Sequence, residues 1–91
     1  MMIELVLDGK KYSAEKVGFF GKIIGLMFSK KRNLLFELNN KRITVHSFFV
    51  FFPIRLYFLD ENFNIVEKKI LRPFQIYFSK AKAKWLVEIP L

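Results

Sequence analysis

Ile54-Arg55-Leu56-Tyr57-Phe58-Leu59 is followed by Asp60-Glu61-Asn62 and then by a second run from Ile65 to Leu71. The first run is aliphatic and aromatic, too short for a stable helix, and bounded by Pro53 and by turn residues. It therefore reads as a central strand. The turn and the return make a hairpin, which Arg72-Pro73 ends. Alternation puts Ile54, Leu56 and Phe58 on one face and Arg55, Tyr57 and Leu59 on the other. The Arg55–Tyr57 face is expected to be the wetter one. A buried Arg55 would need a carboxylate partner such as Asp60 or Glu88. An Arg beside a Tyr at a sheet surface is also suited to holding an anion or stacking on a base.

Working outward, Ser47-Phe48-Phe49-Val50-Phe51-Phe52 is almost wholly apolar and has no period that would place it. Before it, Leu34–Leu38 and Arg42–His46 flank Asn39-Asn40, a turn signal, and read as a second hairpin. Ile3–Leu7 and Lys10–Tyr12 flank Asp8-Gly9, the strongest short hairpin signal in the chain. Downstream, Phe74–Phe78 alternates weakly, and Ser79–Lys84 is a basic connector able to form one helical turn. Trp85–Ile89 is a last strand with Trp85, Val87 and Ile89 on one face, stopped by Pro90. Phe20, Ile23, Ile24, Met27 and Phe28 follow a helical period, against which Gly18, Gly21 and Gly25 argue. The pattern predicts a mainly β (β-rich α+β) fold spanning residues 1–91 as one domain. We expect a small barrel or sandwich of about six to eight short antiparallel strands, with one short helix near residues 18–29.

Composition narrows the chemistry. The 91 residues carry 53% hydrophobic side chains and a formal charge of +8, enough apolar surface for a core. With no Cys and one His, disulfides, thiol catalysis and Cys- or multi-His metal sites within one chain are excluded, and no cofactor is expected. The Met1–Asp8 segment has an acidic residue where a secretory signal needs basic ones, which points to the cytoplasm. The apolar run at 47–54 is far shorter than the roughly 20 residues of a spanning helix.

His46 is the only side chain that titrates near neutral pH without perturbation. Ser47 beside it points to the opposite strand face, so adjacency makes no nucleophile–base pair. A lone His at a strand end is expected to bond a backbone group. No phosphate loop, nucleophile elbow or metal motif is present. The Phe-rich centre exceeds what so small an interior hides, so His46, Phe48, Phe49, Phe51, Arg55 and Tyr57 form the candidate groove for a ligand or partner. Lys30, Lys31 and Arg32 form the candidate basic patch. Lys10-Lys11 and Lys80, Lys82 and Lys84 are further basic clusters, which suit solvated faces or, if they converge, a phosphate-facing surface.

Gly25-Leu26-Met27-Phe28, Leu34-Leu35-Phe36, His46-Ser47-Phe48-Phe49, Phe52-Pro53-Ile54, Phe58-Leu59-Asp60 and Leu86-Val87-Glu88-Ile89-Pro90 occur in a telling order. In that order they resemble the family catalogued as domain of unknown function 192, most of all its archaeal members. The resemblance implies a β-rich single domain and names no activity. Such proteins carry Met and then Arg or Lys after the aromatic pair, and Asp after the Pro–Ile step. Here those positions hold Val50, Phe51 and Arg55, so the resemblance carries over no site residue. The function expected is a small cytoplasmic, non-catalytic module that binds a small apolar ligand, a protein partner or a second copy of itself. The alternatives are nucleic-acid binding through the dispersed Lys and Arg, and a small enzyme centred on His46.

Overall fold

The computed structural model describes residues 1–17 and 31–91. The helix expected near residues 18–29 falls outside them, and the described residues contain no helix. The eight strands are β1 (Met2–Leu7), β2 (Lys10–Lys16), β3 (Leu34–Lys41), β4 (Thr44–His46), β5 (Ile54–Leu59), β6 (Ile65–Leu71), β7 (Ile76–Phe78) and β8 (Ala83–Pro90). They form a six-stranded sheet in the order β1-β2-β3-β8-β5-β6 and a two-stranded ribbon, β4-β7.

Both outer hairpins close as their turns dictate. Asp8 and Gly9 have φ of 52° and 77°, the pair of positive values that a two-residue turn needs to follow strand twist, and Leu7 then faces Lys10. At the β5–β6 turn the Asp60 carboxylate accepts the Asn62 and Asn64 amides, both at 2.9 Å. The central strand pairs with β6 on one side and β8 on the other, all antiparallel.

Three expectations are corrected. Leu34–Leu38 and Arg42–His46 do not pair: β3 runs on to Lys41 beside β8, and β4 leaves to pair with β7. Asn39 and Asn40 both have φ of 55°, but they bend β3 at an irregular register rather than turning it back on itself. The strands are not all antiparallel, because β2 and β3 pair in parallel through Glu15–Leu34 and Lys16–Leu35. The basic connector forms no helical turn; β8 begins at Ala83.

The sheet is buried on both faces. Leu34, Phe36, Leu56, Phe58 and Leu86 pack on one side with Val45 and Val50, and Tyr77 joins them, so the ribbon covers that face. Leu35, Tyr57, Leu59, Val87 and Ile89 pack on the other with Leu5, Leu7 and Ala14 of the first hairpin. The sheet is a half-barrel, curled far enough that Asp8 at the hairpin tip reaches Lys68 on the far edge strand at 2.9 Å. The alternation expected along β5 is therefore present, but its Arg55–Tyr57 face is not the wetter one. Tyr57 and Leu59 are fully buried beneath the hairpin, and only Arg55 keeps partial exposure.

Candidate functional site

The candidate groove residues divide between the two covers of the sheet. His46, Phe48, Phe49 and Phe51 belong to the ribbon and the loop that leaves it. Arg55 and Tyr57 lie on the opposite face of the sheet, under the hairpin. Of the candidate basic patch, Lys30 lies outside the described residues. Lys31 donates to the Leu91 carbonyl at 2.7 Å and sits 5.6 Å from the Phe52 ring centre, and Arg32 lies 3.5 Å from Glu15. Both are thus drawn into contacts within the chain.

The ribbon is organised around Ser47. Its side chain is fully buried; the hydroxyl donates to the Arg72 carbonyl and accepts the Gln75 amide at 2.9 Å. Its backbone carbonyl accepts the amides of Val50 at 3.1 Å and Phe74 at 3.0 Å. These bonds tie residues 47–50 to residues 72–75, and the Ser47 hydroxyl is spent on them. His46 faces the other way, exposed, its Nδ1 accepting the Phe48 amide at 3.3 Å and its ring stacked on Phe48 at 5.2 Å. The two side chains make no nucleophile–base pair, and His46 bonds a backbone group as its position suggested.

Tyr77 fixes which face of the ribbon turns inward. Its ring packs beside Phe58 at 6.2 Å, and its hydroxyl donates to the Glu67 carboxylate. That carboxylate also accepts the amides of Lys80 at 2.9 Å and Ala81 at 2.8 Å. Burial pushes the Glu67 carboxyl up, but these bonds outweigh it and leave it below the ordinary value. The same hydrogen bond, with burial, pushes Tyr77 up to about 12, so it stays protonated.

With Tyr77 and Val45 inside, their strand neighbours must point out. Thr44 faces Phe78 and His46 faces Ile76 across the ribbon, all four exposed. Phe74 lies edge-on to Phe49 at 6.1 Å and to Phe51 at 5.8 Å, extending the apolar face around the end of the ribbon. Phe78 is 68% exposed, Phe51 65%, Phe74 53% and Ile76 50%. Phe49 and Phe74 have φ of 62° and 58°. Bulky residues pay about 1–3 kcal/mol for that conformation, and such strain gathers at sites with a task.

The chain segments that build this face carry one sign of charge, and the nearby Glu67 carboxylate is taken up by Tyr77 and the amides of Lys80 and Ala81. Residues 38–59 and 68–87 contain no Asp or Glu, while they carry Lys41, Arg42, Lys69, Arg72, Lys80 and Lys82 among their cations. Phe74, Ile76 and Phe78 were not among the candidate groove residues. Their alternation in the sequence was visible, but it is ordinarily the mark of a core face. Here the polar-tipped Tyr77 takes the inside because Glu67 is there to meet it.

A UPF0127 protein of Pyrococcus horikoshii is 38% identical over 76 residues, covering 79% of this chain and 66% of that protein. The chain is a homologue of the archaeal UPF0127 proteins. A second, from Pyrococcus furiosus, is 36% identical over 76 residues with the same coverage, and one from Thermococcus sibiricus is 33% identical over 78 residues. The chain spans 66% of the length of the first two UPF0127 relatives and 51% of the third. No family model matches the chain. A crystal structure of a protein of unknown function from Novosphingobium aromaticivorans superposes with a TM-score of 0.75, covering 98% of this chain and 71% of that one. At 11% identity it shares the fold alone. Among the described residues no helix is long and apolar enough to cross a membrane.

Proposed function

We propose that this chain is a non-catalytic protein-binding module, and that the outer face of the ribbon is its binding surface. One observation carries the reading: exposed Phe48, Phe74, Ile76 and Phe78 stand together on segments whose charged residues, Arg42, Arg72 and Lys80 among them, are all cationic. A contiguous apolar patch with a polar rim is the ordinary anatomy of an interface. The rim is cationic, so the partner is a protein with an apolar centre and an acidic border. A second copy of this chain would set like charges against each other across the patch.

Ring geometry favours a protein over stacked bases. The rings of Phe49 and Phe51 meet Phe74 at 73° and 69°, so beside the stacked His46–Phe48 pair this part of the face makes no continuous flat platform. The finer family assignment, to domain of unknown function 192, rests on the ordered sequence segments. Action as one domain in the cytoplasm belongs to the same reading.

The test is a partner identified, purified and returned. Proteins retained from a cell extract by the immobilised chain are compared with those retained by Phe74→Ser/Phe78→Ser. The expected result is an acidic protein that, once pure, binds the wild type with a Kd that rises at least about tenfold in the double variant and rises with salt. A dimer of the chain itself, or RNA or anionic vesicles bound through the same phenylalanines, would overturn the reading. So would equal affinity of the purified protein for wild type and variant.

A further inference from the structure

The opposite side of the sheet holds a feature that this proposal does not use. Where the first hairpin curls over toward the edge strand β6, a cleft of about 410 Å³ is lined by Asp8, Arg55, Tyr57, Lys68, Lys69 and Ile70. The strands assemble it directly. Arg55 and Tyr57 share one face of β5, and the β5–β6 register sets Ile70 opposite Arg55 and Lys68 opposite Tyr57. Asp8, at the hairpin tip, closes one end through its 2.9 Å bond from Lys68.

The charges in this cleft do not cancel. Asp8, the one carboxylate lining it, is matched by Lys68. Lys69 points to the other face, where its Nζ lies 5.5 Å from the Tyr77 ring centre. Arg55 remains, half-buried, and among the described residues no carboxylate lies within ion-pair distance of its guanidinium. The Tyr57 hydroxyl, as a hydrogen-bond partner, raises the already high pKa of Arg55 against the opposing pull of burial, with Tyr12 and Asp8 adding to the rise. A guanidinium presents paired N–H donors in a rigid fork that fits a two-oxygen anion.

We propose that this cleft binds a small carboxylic acid, its carboxylate held by the Arg55 fork beside the Tyr57 hydroxyl and its apolar part lying against Ile70. A single uncompensated cation matches a single negative charge. A phosphate dianion would bring its second charge up against Asp8. The site is independent of the ribbon surface, which lies across the sheet.

Nitrogen-detected NMR titration of the whole chain with benzoate, butyrate and inorganic phosphate tests the assignment. Benzoate and butyrate are expected to shift the Arg55 side-chain N–H saturably, in the millimolar range, and phosphate to bind more weakly. Arg55→Lys keeps the charge but loses the fork, and should weaken benzoate at least about fivefold. Asp8→Asn, which also frees Lys68, should strengthen phosphate more than benzoate. Phe78→Ser should change none of these values. Absence of a saturable shift, equal benzoate affinity in Arg55→Lys, or phosphate binding more tightly than benzoate to the wild type would overturn it.

Discussion

The half-barrel sheet has two covers, each made of two short antiparallel strands. The hairpin β1–β2 covers one face with Leu5, Leu7 and Ala14; the ribbon β4–β7 covers the other with Val45 and Tyr77. Their inner faces do the same work, but their outer faces differ. The hairpin's outside carries Met2 opposite Glu15, Glu4 opposite Ser13 and Val6 opposite Lys11, so its exposed apolar residues are separated by charged ones. The ribbon's outside carries Thr44 opposite Phe78 and His46 opposite Ile76, and the apolar surface continues onto Phe74. A cover needs one apolar face to hold a core together. The ribbon has two, and the second one is what marks it as a binding surface.

The largest effects should come from the inner faces and should not distinguish the covers. Leu7→Ala opens a cavity under the hairpin and should cost about 2–5 kcal/mol. Tyr77→Ala removes a ring from beside Phe58 and the hydroxyl from Glu67, and should cost about 3–5 kcal/mol. Denaturant unfolding of both variants checks this. If either one is near neutral, that cover is not part of the core.

A second effect belongs to the ribbon-covered face alone. Glu88 lies opposite Leu34 on β3 and Leu56 on β5, is only 8% exposed, and burial pushes its carboxyl up to about 7. Below the unfolded pKa both states hold the proton, and this group's contribution to stability is fully present. As pH rises from there through about 7, the unfolded chain releases a proton that the folded chain still keeps, so stability falls; above the folded pKa it levels off. The loss amounts to about 3 kcal/mol. Glu67, held below its ordinary value, has the opposite sign, and its contribution is lost only as pH falls through that lower value. Glu88→Gln should therefore flatten the decline in unfolding free energy between about pH 5 and about pH 8 and make the protein more stable at the upper end. A decline that persists unchanged in the variant would assign it to another group.

How much of this was legible in the sequence follows the same division. The β5–β6 and β1–β2 hairpins were readable because Asp60-Glu61-Asn62 and Asp8-Gly9 are local turn signals between β-prone runs. The last strand and its faces were readable from simple alternation. The ribbon was not, because β4 and β7 are joined by pairing across residues 47–75 and by the buried Ser47 hydroxyl, which no local pattern announces. Asn39-Asn40 misled for the converse reason: a turn signal marks a bend, and the long-range partner decides whether the chain reverses. The candidate groove residues fall on both faces of the sheet. His46 and Phe48 stand exposed together, whereas Tyr57, on the face expected to be wetter, is buried because the hairpin lies over it. The cleft beside Arg55 was partly within reach, since the hairpin reading implied that Lys68 lies near Tyr57. That Asp8 would close it depends on the curl of the whole sheet.

The smallest stability effects should come from the outer faces. Val6→Ser and Phe78→Ser should each change unfolding free energy by no more than about 0.5 kcal/mol, because neither side chain fills the core. A larger loss in Phe78→Ser would mean that its ring supports the fold and is not held out for a partner.

The most direct measurement is a fluorescence titration of the native protein with anilinonaphthalenesulfonate, an apolar anion that imitates the acidic and apolar partner. The account predicts saturable binding to the wild type, to Val6→Ser and to Arg55→Ala, and its loss in Phe74→Ser/Phe78→Ser. No binding to the native wild type, or undiminished binding in the double variant, would contradict it.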